Sequence, residues 1–120
     1  MSDNLQELSE KLAAFARERD WEQFHTPKNL SMALIAEAAE LVEHFQWLTP
    51  EQSAALSDEK LEEVRLELAD IQIYLLRIAE RLDIDLVQAA YDKMAINEKR
   101  YPADKVRGDA RRASEYQDNE

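Results

Sequence analysis

Four carboxylates, arranged as two similar pairs, are the residues of this sequence best suited to do chemistry. Glu37 and Glu40 stand three residues apart inside an apolar run, and Glu67 and Asp70 repeat that spacing inside a second run. Residues three apart on a helix share a face, so each pair would point one way from a segment that otherwise favours burial. Burying ionised carboxylates is costly unless they are paired or bind a metal. Two pairs facing each other would form an oxygen-rich site for a hard divalent cation.

The types of these ligands narrow the choice of metal. All four are oxygen donors, which suit Mg²⁺ or Mn²⁺, whereas zinc and copper favour nitrogen or sulfur. Magnesium held by carboxylates usually also binds substrate phosphates. A di-iron site would use Glu-x-x-His pairs, and neither Glu37 nor Glu67 is followed by a histidine at that spacing. A solvated helix face would explain one pair alone, but two pairs in apolar runs favour a metal site.

Two further groups of side chains could bind the rest of a ligand. Lys93, Asn97 and Arg100 share one face of a predicted helix and offer two positive charges and an amide for phosphates, although a plain solvated face has the same pattern. Aromatic rings that could stack on a nucleobase flank the second predicted helix or lie one turn beyond Asp70; they are Trp21, Phe24, His25, Trp47 and Tyr74. Core packing is the alternative for these rings, and it is favoured for Phe24.

Bulk composition excludes several classes of protein. The chain has 120 residues, a formal net charge of −11, 45% hydrophobic residues and no cysteine. The acidic balance disfavours nucleic acids and anionic membranes as partners, and the absence of cysteine excludes disulfides and thiolate metal sites. No segment approaches the roughly 20 apolar residues of a membrane span, and the N-terminus lacks a signal-peptide pattern. We therefore expect one soluble domain located in the cytoplasm.

The elements that would position these residues are all helices. One glycine, three prolines and few β-branched runs favour an all-α protein. Apolar periodicity predicts a first helix over residues 3–19, with its stripe at Leu5, Leu8, Leu12 and Phe15. Capping residues predict a second helix from Thr26-Pro27 to about Trp47, and a third from Ser57 or Asp58 to about Leu82.

Two capping-box patterns mark the remaining starts. Thr49 with Gln52 predicts only a short helical turn, and Asp85 with Gln88 opens a fourth helix that ends near Tyr101-Pro102. The charged segment from Ala103 onward predicts a loosely ordered tail. The third helix is apolar around much of its circumference, which favours burial between subunits of a homo-oligomer; its large apolar side chains are Ile71, Ile73, Tyr74, Leu75, Leu76 and Ile78.

The residues together resemble a known family. Glu37-x-x-Glu40, 26 intervening residues and Glu67-x-x-Asp70 form a pattern similar to the signature of the all-α MazG-type nucleoside triphosphate pyrophosphohydrolases. Other segments resemble the dCTP pyrophosphatase branch of that family; they are residues 18–30, 45–47, 73–75 and 93–102. The likeness runs from about residue 5 to residue 104, which suggests a MazG-like domain over residues 1–104 and a charged tail over residues 105–120.

This resemblance implies a fold, an activity and a set of site residues. It implies a four-helix bundle completed by homo-oligomerisation as a dimer of dimers, and Mg²⁺-dependent hydrolysis of a (deoxy)nucleoside triphosphate to the monophosphate and pyrophosphate, with Mn²⁺ as a substitute metal. The expected substrate is dCTP or a modified dCTP, cleared from the nucleotide pool. The resemblance assigns the metal and the catalytic role to Glu37, Glu40, Glu67 and Asp70. It places base and sugar near Trp21, His25, Trp47 and Tyr74. It gives two alternative roles, contact with the phosphates or closure of the pocket, to Lys93, Asn97, Arg100 and Tyr101.

The sequence leaves several points open. Glu37 and Glu40 are both candidates for the general base, and the base preference is not fixed by stacking rings. Two non-catalytic functions compete with the enzyme: a helical assembly module and a nucleotide sensor that binds without hydrolysis.

Overall fold

The computed structural model describes residues 2–111, and all regular structure in that range is helical. The helices are α1 (Ser2–Glu18), α2 (Pro27–Glu43), α3 (Pro50–Ser53), α4 (Asp58–Arg81), α5 (Leu86–Arg100) and α6 (Ala103–Val106). Helices α1–α4 belong to one compact unit that ends at Ile84, and α5 and α6 belong to a second unit that begins at Asp85. The predicted all-α class is confirmed for the described residues.

Side-chain caps set the starts of the helices where the sequence predicts them. The Thr26 hydroxyl accepts a hydrogen bond from the Asn29 N–H at 3.2 Å, and Pro27 occupies the first turn of α2. Ser57 caps α4 in the same way, through the Lys60 N–H at 3.2 Å. Each cap satisfies one of the N–H groups that a helix start leaves without an intrahelical partner.

The two predicted capping boxes differ in outcome. At α3 the box is complete, because the Gln52 N–H donates to the Thr49 hydroxyl and the Thr49 N–H donates to Gln52 Oε1. At α5 the Asp85 carboxylate accepts from the Gln88 N–H, as predicted, but the Gln88 side chain donates to Asp92 at 2.9 Å. Asp85 is therefore a simple N-cap rather than half of a reciprocal box.

One predicted helix end is wrong, and the segment predicted as a tail contains a short helix. Helix α2 ends at Glu43, four residues before Trp47, because the N–H groups of Phe45 and Gln46 both turn back to the Val42 carbonyl. The sequence gives no stop signal there, and its apolar periodicity continues past the end of the helix. The second difference is α6, a four-residue helix inside the segment predicted as a tail. Residues 112–120 of that predicted tail lie outside the described range.

The core of the first unit forms where α4 packs against α2 and α1. Its most buried apolar side chains are Ala13, Ala16, Leu30, Val64, Leu76 and Ala79. The predicted stripe of α1 is only partly right, because its leucines are half-buried and Phe15 is exposed. Phe24 is 59% exposed, so the interpretation of this ring as a core residue is wrong. Phe24 lies in the turn between α1 and α2 rather than on a helix face that packs against α4.

Helices α1 and α4 both end in a Schellman motif built on an aspartate. After α1, the Asp20 N–H bonds to the Arg17 carbonyl and the Trp21 N–H to the Ala16 carbonyl, with Asp20 at φ 55°. After α4, Asp83 has φ 56° and bonds to Glu80, while the Ile84 N–H bonds to the Ala79 carbonyl. Glycine usually occupies this left-handed position, because other residues pay a steric cost there. The first motif fixes the backbone of Trp21 directly after α1.

Candidate functional site

The packing of α2 against α4 brings the two predicted acidic pairs together. Glu37 on α2 and Glu67 and Asp70 on α4 each place a carboxylate oxygen within 4.8 Å of the others. Glu40 lies one turn beyond Glu37 and outside this triad, but its charge acts on both Glu37 and Glu67. Three oxygens at this spacing can reach one cation together, since Mg²⁺ binds oxygen at about 2.0–2.1 Å.

Two oxygens of this cluster are buried without a hydrogen-bond partner among the described residues. They are Glu37 Oε2 and Glu67 Oε1, and as carboxylates neither group can donate to the other. The pKa of Glu37 rises from 4.5 to about 7, because its protonated form donates to Glu67, because burial penalises its charge, and because Glu40 and Asp70 repel it. Protonated Glu37 lowers the pKa of Glu67, but burial and the Glu40 and Asp70 charges outweigh this effect and raise it overall.

These observations fit a cation ligand set. Buried polar atoms are nearly always paired, and buried carboxylates that repel each other need a proton or a cation between them. The donors are all oxygens, as a hard divalent ion prefers. The cluster can therefore hold a divalent cation, with Glu37, Glu67 and Asp70 closest together.

A basic edge flanks Glu67 that the sequence analysis did not single out. His44, at the end of α2, lies 4.0 Å from Glu67 Oε2 through Nε2 and 3.8 Å from Glu63 Oε2 through Nδ1. Lys60 Nζ lies 3.4 Å from His44 Nδ1 and 3.1 Å from Glu63. The position of His44 four residues after Glu40 is the signal that could have placed it beside the cluster. Lys60 is the cation of this edge, and it pairs with the Glu63 carboxylate rather than with Glu67.

The aromatic residues predicted near a base separate into a cluster and two single rings. The rings of Trp21 and His25 lie 6.1 Å apart at an interplanar angle of 53°, and Phe15 contacts Trp21 edge-on at 5.7 Å. Trp47 lies in the turn after α2 and is 86% exposed. Tyr74 is half-buried on α4, one turn after Asp70. The rings of Trp21 and His25 are thus adjacent in the ligand-free chain, whereas the indole ring of Trp47 is almost fully exposed to solvent.

His25 is held by an arginine that the sequence analysis did not identify. Arg77 on α4 is 2% exposed, and its Nε lies 3.4 Å from His25 Nδ1. Its Nη1 pairs with Glu80 at 2.9 Å, and its Nη2 is buried without a partner in the described part of the chain. The pKa of His25 is lowered, first by burial and then by the charges of Arg77 and Arg81.

The predicted phosphate-binding residues lie in the second unit. Lys93, Asn97 and Arg100 share one face of α5, where Lys93 is exposed and Asn97 is half-buried. The Arg100 guanidinium lies 5.6 Å from the ring of Tyr101, the residue that ends α5. Arg100 lies in the last turn of α5, where a cation interacts favourably with the helix dipole, whereas Lys93 lies near the middle of the helix.

The helical fold and the carboxylates shared by α2 and α4 have a counterpart among known families. A sequence profile of the MazG-like family matches residues 33–118, so the chain belongs to the MazG-like family. This match covers α2, which carries one acidic pair, from its second turn onward, and all of α4, which carries the other. The resemblance to this family that the sequence predicts is confirmed.

Individual relatives narrow the similarity. The chain is 43% identical to dCTP pyrophosphatase 1 of Homo sapiens over 92% of its own length and 66% of the relative's. It is 45% identical to dCTP pyrophosphatase 1 of Bos taurus, over 88% of its own length and 64% of the relative's. The chain thus spans slightly less than two thirds of the length of these curated relatives. A crystal structure of a pyrophosphatase from Archaeoglobus fulgidus matches with a TM-score of 0.78 and 37% identity, covering 82% of this chain and 93% of that one.

Proposed function

We propose that this chain hydrolyses a nucleoside triphosphate, dCTP or a modified dCTP, to the monophosphate and pyrophosphate. The observation that carries this proposal is the triad of Glu37, Glu67 and Asp70, whose oxygens lie within 4.8 Å of one another. Two carboxylate oxygens of this triad are buried and have no hydrogen-bond partner within residues 2–111. The relatives named dCTP pyrophosphatase 1 support the reaction and the base, since the chain is 43–45% identical to those from human and cattle.

Glu37, Glu40, Glu67 and Asp70 would hold Mg²⁺, with Mn²⁺ as a substitute. When bound, the ion would neutralise phosphate oxygens and favour attack by water at the α-phosphorus. Glu37 and Glu40, both on α2, are the carboxylates proposed to orient that water and to accept its proton. The pKa of Glu37 is raised to about 7, so cation binding at this cluster would displace a proton from it.

The remaining site residues would bind the two ends of the nucleotide. We assign the base and sugar to Trp21, His25, Trp47 and Tyr74, because Trp21 and His25 are adjacent and Trp47 is exposed. The phosphates are assigned to two cations and two uncharged polar residues on and directly after α5, which are Lys93, Arg100, Asn97 and Tyr101.

A homo-oligomer, a dimer of dimers, is part of this proposal. Helices α2 and α4 expose more large apolar side chains than a monomer of this size normally leaves in water; the most exposed are Met32, Ile35, Val42, Leu61, Leu66 and Leu68. Ile35 alone is 67% exposed. Light scattering on the purified chain tests the assembly, and Ile35→Glu should shift it toward smaller species. A monomeric wild-type chain would remove this part of the proposal.

We also propose that the protein is located in the cytoplasm. None of the helices within residues 2–111 has both the length and the apolar character needed to cross a bilayer.

Pyrophosphate release from a panel of canonical and modified deoxynucleoside triphosphates, with Mg²⁺ and with chelator, tests the activity. Mg²⁺-dependent release that favours cytosine nucleotides is the expected result. Pyrophosphate release that favours nucleotides with another base would support the proposed reaction but exclude dCTP as the substrate. If no nucleotide releases pyrophosphate, the proposed enzymatic function is excluded. Thermal stabilisation by a nucleotide would then identify a sensor, and its absence an assembly module.

A further inference from the structure

Arg77 is a costly residue in terms of stability. Its side chain is 3% exposed, and its only ion pair in the described chain is with Glu80, a partly exposed carboxylate. One of its terminal nitrogens, Nη2, is buried with no hydrogen-bond partner in that range. A buried guanidinium with an unsatisfied donor is expensive, and an apolar residue of similar volume is often as stabilising or more so. A role other than stability would explain an arginine at this position.

The contact of Arg77 with His25 supplies such a role. The two residues are 52 positions apart in the sequence, and the guanidinium Nε–H points to Nδ1 of the imidazole at 3.4 Å. An arginine has donors but no acceptor, so His25 Nδ1 must carry a lone pair to accept this bond. A neutral imidazole that accepts at Nδ1 carries its proton on Nε2.

We propose that Arg77 is a positioning residue that holds His25 in its Nε2–H tautomer, so that His25 offers a neutral N–H donor to a ligand beside Trp21. The charges around the ring agree with this assignment, because Arg77 and Arg81 oppose a second proton and only Glu22 favours it. Burial acts in the same direction, and the pKa of His25 is lowered overall.

The chemistry of this donor selects its partner. A neutral N–H next to an aromatic ring is suited to a carbonyl oxygen or a ring nitrogen at the edge of a stacked base, or to a sugar oxygen. A protonated histidine would instead favour phosphate. The identity of this ligand as a nucleotide rests on the proposed function, but the tautomer of His25 does not.

Nitrogen-15 NMR of the histidine rings tests the tautomer in the full chain without any nucleotide. The chain has two histidines, and the spectrum of His44→Gln assigns the signals of His25. We expect His25 Nδ1 to resonate as an unprotonated nitrogen and Nε2 as a protonated one near neutral pH. A protonated Nδ1 in the wild-type chain would overturn the proposal, whether or not any variant folds.

Substitutions then separate positioning from charge. Arg77→Met should give a mixture of His25 tautomers, whereas Arg77→Lys, which keeps a donor, should restore much of the wild-type pattern. Arg81→Met is the matched control, because Arg81 acts on His25 through charge and donates no hydrogen bond to it in the structure. If Arg81→Met and Arg77→Met change the tautomer equally, the hydrogen bond is not the cause and the proposal fails.

Nucleotide hydrolysis supplies the second measurement. Arg77→Met should raise KM by about fivefold to tenfold, the effect of one misplaced hydrogen bond, with kcat little changed. Arg77→Lys should recover part of that loss. An unchanged KM in an active Arg77→Met enzyme would contradict the proposal. No hydrolysis by the wild type would instead contradict the proposed function and leave the NMR result to decide the tautomer.

Discussion

Glu37 on α2 and Glu67 on α4 place carboxylate oxygens within 4.8 Å of each other, and each has one buried oxygen without a partner in the described chain. Two ionised carboxylates at this distance repel each other. A proton shared by the pair relieves this repulsion when no metal is present, as the raised pKa of Glu37 shows. The same contact therefore links protonation, cation binding and the packing of the two helices.

Replacing Glu67 by Gln should remove cation binding and catalysis together while the fold remains intact. The amide keeps the size of the side chain but loses the charge, and it can pair with Glu37 instead of repelling it. We expect at least about a hundredfold loss of turnover, the size of effect seen when a charged stabilising group is removed from a site. Calorimetric titration with Mg²⁺ and pyrophosphate release measure the two effects.

Glu59→Gln is the matched control for this substitution, because Glu59 lies on the exposed surface of the same helix. It should bind Mg²⁺ and turn over as the wild type does. Wild-type turnover by Glu67→Gln would exclude the acidic cluster as the catalytic site.

The stability of the metal-free protein should fall as pH rises through neutrality. The pKa of Glu37 is about 7 in the folded chain and 4.5 ordinarily, so the folded state binds the extra proton. The stabilisation from this proton is complete below pH 4.5 and is lost as the pH rises through about 7. Urea unfolding in chelator, at several pH values from about 5 to about 8, measures this slope.

Glu37→Gln isolates this effect from that of His25. Because the pKa of His25 is lowered, His25 reduces stability as the pH falls below 6.5, a slope of opposite sign. His25 titrates in both proteins, so their difference reports the coupled titration of Glu37 and Glu67. Adding Mg²⁺ to the wild type should stabilise it more at the alkaline end, where no proton competes. An equal slope in Glu37→Gln and the wild type would contradict the pKa assignment.

Lys93→Ala should weaken binding of a triphosphate more than binding of a monophosphate. Lys93 is exposed on α5 and shares its face with Asn97 and Arg100. One charge on an exposed phosphate contact contributes modestly, and salt screens it, so we expect KM to rise by about threefold to tenfold at low ionic strength. Lys99→Ala removes the same charge from another face of α5 and should leave KM unchanged. Equal effects of the two substitutions would mean that the face does not bind phosphate.

Asp83→Gly should stabilise the protein. Asp83 has φ 56° at the end of α4, and glycine removes the steric cost of this left-handed conformation, which is about 1 kcal/mol. The greater freedom of glycine in the unfolded chain offsets part of this gain. Chemical unfolding of the variant against Asp83→Ala provides the comparison, and Asp83→Ala should be less stable than Asp83→Gly. The reverse order would show that the aspartate side chain, rather than its backbone angle, determines stability there.

The helix starts could be predicted from the sequence because their signals are local. Four side chains each accept a hydrogen bond from the N–H group three residues ahead, and all four caps form. They belong to Thr26, which precedes Pro27, and to Thr49, Ser57 and Asp85. The ends of the helices are harder to predict from the sequence than their starts. The chain has a single glycine, so Asp20 and Asp83 fill left-handed positions that give no sequence signal, and α2 stops without any breaker.

The acidic cluster could be anticipated because spacing and apolar surroundings together indicate two pairs that face each other, but only Glu37 and Glu67 are half-buried, whereas Glu40 and Asp70 are exposed. Arg77 could not, because an arginine in an apolar helical run usually extends its charged end to water. Only the packing of α4 against the segment after α1 shows that Arg77 instead reaches His25. The contact joins residues 52 positions apart, and periodicity within one helix carries no information about it.

Trp47 lies in the turn after α2 with 86% of its surface exposed, so its fluorescence can report binding at this surface. The chain has two tryptophans, and Trp21 is only half as exposed at 43%. Indole fluorescence moves to shorter wavelength when water is removed from the ring, so the emission of the free chain should be red-shifted by Trp47. A nucleotide base or a second copy of the chain that covers this ring would shift the tryptophan emission to shorter wavelength, and no added label is needed to detect this shift.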